Sequence, residues 1–200
     1  MDKIELIERI QNVAPRSKRR LIALAGPPAS GKSTLADHLG AAIANSCVVP
    51  MDGFHLDNEV LHLRGLSTRK GSPQSFDVQG FCHIIKRLQC EAEVIYPIFD
   101  RKLDRAIAGA GVVGADMQTV IVEGNYLLLD AQGWRELAAL WDLTVYLAVP
   151  EAVLRSRLMQ RWLDHGHTDA QARAKVDAND LPNAMIVADQ LLKPQITLTL

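Results

Sequence analysis

The 200-residue chain holds only three cysteines, Cys47, Cys82 and Cys90, widely separated and without the spacing of a metal knuckle or a redox pair. They read as reduced thiols in or near a core, not as a disulfide framework. No stretch approaches the roughly 18 uninterrupted apolar residues that a membrane span needs. The opening residues, Met1-Asp2-Lys3-Ile4-Glu5, alternate charge with apolar side chains and lack the unbroken apolar core of a signal peptide. A cytoplasmic, membrane-free protein is expected. Charge of one sign is also missing. The formal net charge of −1 supplies no global field to draw the chain onto nucleic acid or an acidic membrane. Repeats, low-complexity segments and a recognisable interdomain linker are absent as well.

What remains is ordinary globular material, 48% apolar and 22% charged, in a length that suits one α/β domain with a small appended lid. Ile4, Ile7, Ile10 and Ala14 recur at three- and four-residue spacing and predict a helix near residues 3–14, ended by Pro15. The basic run Arg16 to Arg20 reads as a solvated connector. Leu21 to Ala25 is continuously apolar and of strand length, as for a strand buried on both faces. Lys32 to Ala44 reads as helix, Cys47 to Met51 as a second strand, and residues 53–76 as an irregular insertion. Asp77 is a plausible N-cap for a helix that buries Val78, Phe81, Ile85 and Leu88. Val94-Ile95-Tyr96 predicts a short strand stopped by Pro97; Thr119–Val122 and Leu143–Val149 predict two more. Pro150 opens a helix whose buried side is Val153, Leu154, Leu158 and Trp162, and Gly166 ends it. A helical stretch from Asp169 to Ala178 then meets an expected break at Asn179–Asn183, before a last helix and the apolar run Ile196–Leu200. Apolar strands alternating with helices imply a mainly parallel sheet covered on both faces.

Gly26-Pro27-Pro28-Ala29-Ser30-Gly31-Lys32-Ser33 fits the phosphate-loop pattern G-x-x-x-x-G-K-[ST] without a mismatch, between a buried strand and a helix. Glycines let the backbone turn its N–H groups inward around phosphates, and the helix that follows presents its positive end. Gly26, Pro27, Ala29, Ser30, Gly31, Lys32, Ser33 and Thr34 are therefore the expected nucleotide cradle. Lys32 would reach the outer phosphates of ATP, and the Ser33 hydroxyl would ligate Mg²⁺. Glu123 ends the strand Thr119–Val122 and is the expected second metal-side carboxylate. Asp52 ends another buried strand, where the carboxyl ends of strands line a ligand crevice. It is the expected base for a substrate hydroxyl.

These pieces resemble the phosphoribulokinase, uridine kinase and pantothenate kinase superfamily of P-loop kinases. The resemblance runs from about Leu21 to Ala188 through Gly26–Ser33, Met51-Asp52-Gly53-Phe54, Arg69–Asp77, Tyr96-Pro97-Ile98-Phe99-Asp100 and Val120–Gly124. It implies a P-loop α/β fold spanning residues 1–200, with a helical lid at about 155–183, and ATP and Mg²⁺ as cofactors. The activity implied is transfer of the γ-phosphate to a small hydroxyl-bearing metabolite, with Asp52 as base and Glu123 at the metal. Lys70, Asp100 and Arg101 fall in stretches that build the family's acceptor site, and Arg157 and Arg161 fall where its lid arginines close over the phosphates. Asn183 belongs to an N-D-x-P-N element. His55 follows the base into the acceptor pocket, and Asn125-Tyr126 also face it. Members are often dimers or tetramers, so a homodimer is compatible. Uridine kinases carry an aromatic and histidine set around the pyrimidine; this chain is 5% aromatic and has Asp104 where the pattern puts a histidine. A sugar-like or pantothenate-like acceptor is thus expected before a nucleoside. The short bacterial sugar kinases of fructose-transport type are the nearest match in overall pattern. The alternatives are a nucleotide-dependent switch ATPase without an acceptor and a nucleic-acid-directed P-loop protein; the slight acidity and the lack of a basic stripe count against the latter.

Overall fold

The computed structural model describes residues 1–199; Leu200, the last residue of the expected C-terminal apolar run, lies outside them. Five strands, β1 (Arg20–Ala25), β2 (Ser46–Pro50), β5 (Thr119–Gly124), β6 (Leu143–Ala148) and β7 (Ile196–Thr199), form one parallel sheet in the order β2-β5-β1-β6-β7. β3 (Val94–Asp100) and β4 (Arg105–Val113) pair separately as an antiparallel hairpin. Helices α1 (Lys3–Asn12), α2 (Lys32–Ala42), α3 (Asn58–Leu63), α4 (Val78–Cys90), α5 (Glu151–Asp164), α6 (Asp169–Lys175) and α7 (Leu181–Asp189) fill the rest.

Successive residues of a strand point to opposite faces, and β1 divides accordingly. Leu21, Ala23 and Ala25 join a core with Phe81, Ile85 and Leu88 of α4, whereas Ile22 and Leu24 join one with Leu6 and Ile10 of α1 and Ala36 and Leu39 of α2. Both faces of the central strands are covered, which is why those strands are apolar throughout. A third, smaller cluster, Leu154, Leu158, Val176, Leu181 and Ala184, packs α5 against the helices that follow it. Asp2 and Glu5 close α1 with a reciprocal capping box.

Four local expectations fail, each for a tertiary reason. The connector before β1 is solvated only in part: Arg16 and Lys18 are exposed, but Arg19 is not. Arg19 is fully buried, and its guanidinium donates five hydrogen bonds to the carbonyls of Met117, Leu88, Glu91, Ala92 and Gly114. Pro97 does not stop the third strand: the hairpin changes register between Tyr96 and Ile98, so a residue without an N–H is accommodated. Gly111 on β4 lies under the Tyr96 ring, where an added Cβ would come within 2.4 Å. No break occurs at Asn179–Asn183. The chain passes from α6 through a π-helical turn, Val176–Asp180, directly into α7; the Ala178 carbonyl that Pro182, lacking an N–H, cannot serve accepts instead from Arg69 at 2.9 Å. Val153 is exposed, and the buried side of α5 is Leu154 and Leu158. Among the described residues no helix is long and apolar enough to cross a membrane, and none of the three cysteines is paired.

Candidate active site

β1 runs out at Ala25, and the chain turns through Gly26–Gly31 into α2. Ala29 (φ 61°) and Gly31 (φ 92°) both adopt left-handed backbone, which curls the loop into a concave nest of N–H groups. Gly26 cannot carry a side chain, because a Cβ would meet Ser30 Oγ at 2.8 Å and Leu147 Cβ at 3.2 Å. Behind the nest, Arg157 of α5 donates to the carbonyls of Ala29 and Ser30, both at 3.2 Å. Ser30 is fully buried, and its hydroxyl has no partner.

The two carboxylates reach this loop through the sheet register. Glu123 on β5 stands opposite Leu24 of β1 and Pro50 of β2, one residue before the P-loop strand ends and two before Asp52. Asp52 lies in a 3₁₀ turn, Met51–Phe54, which packs on the hairpin so closely that a Cβ on Gly53 would fall 1.9 Å from the Pro97 carbonyl oxygen. Arg101 at the hairpin tip approaches the Asp52 carboxylate at 3.5 Å.

A cleft of about 1070 Å³ opens over both features. One end is formed by Ala29, Gly31, Lys32, Ser33 and Thr34, and the other by His55, Asn58, Lys70, Arg101, Asp104 and Asn125, with Asp52 in the same cavity. Arg161, Trp162, Lys175, Asn179, Asp180 and Asn183 are among the residues of the remaining wall. A strand-loop-helix nest continuous with a second, polar compartment is the layout of an enzyme that brings a nucleotide to a separate acceptor. No family model matches the chain. It is 31% identical to "Putative uridine kinase C227.14" of Schizosaccharomyces pombe, over 97% of this chain and 88% of that relative. It is also 31% identical to a pantothenate kinase of Myxococcus xanthus, over 72% of this chain and 49% of that protein. Its fold matches the crystal structure of a "putative fructose transport system kinase" from Silicibacter sp. TM1040 with a TM-score of 0.95, at 48% identity over 99% of both chains. The chain belongs to the phosphoribulokinase, uridine kinase and pantothenate kinase superfamily of P-loop kinases. It is an ATP-dependent small-molecule kinase.

Within this kinase the electrostatics of the cleft follow from burial. Glu123 is 6% exposed, and burial raises its pKa above the ordinary carboxylate value; the Lys32 ammonium and the nearby Ser33 hydroxyl work against that rise. One of its oxygens is buried with no partner. The His55 ring stacks on Phe76 with centroids 4.0 Å apart and meets the edge of Phe99, and burial lowers its pKa below the ordinary imidazole value, favouring the neutral ring. On the far wall Asp180 accepts from Trp162 Nε1 at 2.6 Å and approaches Arg161 at 3.5 Å. Asn183 is 2% exposed, with its carbonyl oxygen 3.2 Å from Arg69 and its amide donating to Asn179.

Most of the site residues expected from the sequence line this cleft; Gly26, Pro27, Ser30, Arg157 and Glu123 are not in its lining, and Asp100 and Tyr126 are engaged elsewhere. Asp100 caps the hairpin turn, accepting from the backbone N–H groups of Lys102 and Leu103, and lies outside the cavity wall. Tyr126 is fully buried among Phe76 and Trp134, and its hydroxyl donates to the Gly71 carbonyl. It braces the Gly71 loop behind the Lys70 end of the cleft, while its neighbour Asn125 faces the cavity. Sequence reasoning passed over Asn58 and Asp180, which enter the cleft because of the hairpin contact and the π turn. The only advance sign was the polarity of Asn179-Asp180 before a proline.

Proposed function

We propose that this kinase transfers the γ-phosphate of ATP to a hydroxyl of a small metabolite, with Asp52 as the general base. The observation that carries the reading is a single cavity containing Lys32, Ser33, Asp52, Lys70 and Arg101, so that nucleotide and acceptor ends meet at one carboxylate. Asp52 accepts the proton of the acceptor hydroxyl as its oxygen bonds to the γ-phosphorus and the bond to the bridging oxygen breaks, releasing ADP. Positioning and charge stabilisation do most of the work in such transfers. Lys32 contributes charge at the outer phosphates and Arg101 orients the Asp52 carboxylate. Arg161, on the segment 155–183 acting as a lid, stabilises charge that develops on the transferred group, and Arg157 holds the P-loop carbonyls in place.

The donor set suits a magnesium ion. Glu123 has an unpartnered buried oxygen beside the Ser33 hydroxyl, an arrangement that is costly unless a cation shares it. No group of three or more His, Cys, Asp and Glu side chains among the described residues is arranged to hold a metal ion by itself. Ser33 and Glu123 would therefore hold Mg²⁺ together with phosphate oxygens and water, the usual habit of this ion. Mg²⁺ would supply charge neutralisation at the phosphates. The unpaired cysteines fit a cytoplasmic place of work.

The test is ADP release with Mg-ATP against sugars, sugar acids, pantothenate and nucleosides, with Lys32→Ala protein as the blank. Turnover that depends on one acceptor class and disappears in the blank supports the reading. Hydrolysis that ignores every acceptor replaces it with a switch ATPase.

A further inference from the structure

The acceptor end of the cleft is electrically closed. Lys70 has three N–H donors, and each has a partner within the protein: Asn58 Oδ1 at 2.7 Å, the Asp104 carbonyl at 2.8 Å and the Asp104 carboxylate at 2.8 Å. Asn58 completes the ring by donating its amide to the same carboxylate at 2.9 Å. Asp104 is held for this purpose in left-handed backbone (φ 52°) at the hairpin turn, a conformation that Asp and Asn tolerate best among side-chain-bearing residues. The other cation of this wall, Arg101, faces Asp52. An anion drawn to it would sit beside that carboxylate.

The ring faces are occupied too. His55 is stacked on Phe76, and Phe99 carries the Lys70 ammonium 5.2 Å from its centroid. A flat base would find no bare aromatic surface there. On the facing wall Arg161 meets Asp180 and Lys175 lies over the Trp162 ring, 4.4 Å from its centroid. Between the two walls stand neutral groups of mixed polarity, Ser67, Thr68, Asn125 and Asn179, with Asn125 Oδ1 buried and unpartnered. Groups that both donate and accept match hydroxyls, which do the same.

We infer that the acceptor is an uncharged polyol, a sugar or sugar alcohol, and that the Asp104–Lys70–Asn58 ring sets this specificity by leaving no unpaired cation on the hairpin wall for a carboxylate or phosphate. The inference rests on the kinase reading above and narrows its acceptor. Asp104→Asn keeps the left-handed turn and a hydrogen-bonding side chain while releasing one positive charge into the cleft.

The experiment measures kcat/KM for Lys32-dependent ADP release on matched pairs, a hexose or hexitol against the corresponding sugar acid and sugar phosphate. Wild-type protein is expected to prefer the neutral member. Asp104→Asn should shift that preference toward the anionic member by about tenfold or more, since like and unlike charges at this range count heavily. The double variant Asp104→Asn/Lys70→Gln removes the released charge and should return the preference to the neutral member. Equal losses on both members in Asp104→Asn would mean a structural role only and overturn the inference. A wild-type preference for the anionic member would overturn it while leaving the kinase reading standing. Absence of acceptor-dependent turnover on any compound would overturn both.

Discussion

Arg19 offers the sharpest test of how the fold is held. Its guanidinium is fully buried with no carboxylate beside it, and its five hydrogen bonds, of 2.6 to 3.1 Å, all end on backbone carbonyls. Three of those carbonyls, Leu88, Glu91 and Ala92, belong to the C-terminal end of α4 and the residues just beyond it, where a helix leaves acceptors unpaired and favours a cation. The other two, Met117 and Gly114, lie between β4 and β5. One side chain thus ties α4, the end of the hairpin and the start of β1 together. Arg19→Met preserves the apolar stem and leaves the carbonyls dry. Each orphaned buried acceptor costs about 1 kcal/mol at the low end of the usual range, and the recovered desolvation of the guanidinium offsets part of the sum. The expected loss is about 3–5 kcal/mol, a large fraction of an ordinary domain's stability. Arg19→Lys, with three donors in place of the guanidinium's five, should lose about half as much. Urea unfolding followed by tryptophan fluorescence measures both through the midpoint at unchanged slope. A loss below about 1 kcal/mol for Arg19→Met would refute the argument, because it would mean that water or rearranged backbone satisfies those carbonyls equally well.

Asp52→Asn should lower turnover by about 10²–10⁴ while ATP affinity, measured by calorimetry, stays nearly constant; wild-type turnover would remove Asp52 from the mechanism. Gly53→Ala drives a Cβ into the Pro97 carbonyl. It should misplace the Asp52 turn and abolish most acceptor-dependent turnover, and a variant with normal kcat would show the turn to be more forgiving than its packing. Glu123→Gln should abolish divalent-dependent turnover and yet raise the melting temperature of the nucleotide-free, metal-free protein. The sign follows from the raised pKa of Glu123. Its charged form is penalised in the folded state, so wild-type stability is fully present below the unfolded carboxylate value and is lost as pH rises through the folded one. The gap in melting temperature between variant and wild type should be near zero in mild acid and widen toward neutral pH. A gap independent of pH would contradict this.

Chemistry that depends on contiguous residues was legible in the amino-acid order. The P-loop, the buried strands on either side of it, and the carboxylates Asp52 and Glu123 at strand ends are all local patterns. A strand buried on both faces has to be apolar throughout, and a loop that wraps phosphates has to place glycine where a Cβ would collide. Those constraints leave a mark on the residues themselves, and the parallel sheet follows from their alternation with helices.

The acceptor wall obeys no such rule. Lys70 and Asp104 are separated by more than thirty positions, yet the hairpin β3–β4 folds over the 3₁₀ turn and makes them partners. Tyr126 reads as a cleft residue because it follows Glu123-Gly124, but its ring is drawn into the core by Phe76 and Trp134. Arg19 reads as solvated because it sits in a basic run, and only the convergence of five carbonyls reveals it as a strut. Asn179 and Asp180 reach the cleft because a π turn carries the helix through where the sequence suggests a break. Sequence by itself determined the nucleotide end, since a backbone wrapped around phosphate restricts which residues can stand there. The acceptor end was decided by tertiary structure alone, because side chains from distant segments satisfy one another's charges and hydrogen bonds there, and no local pattern records which of them will meet.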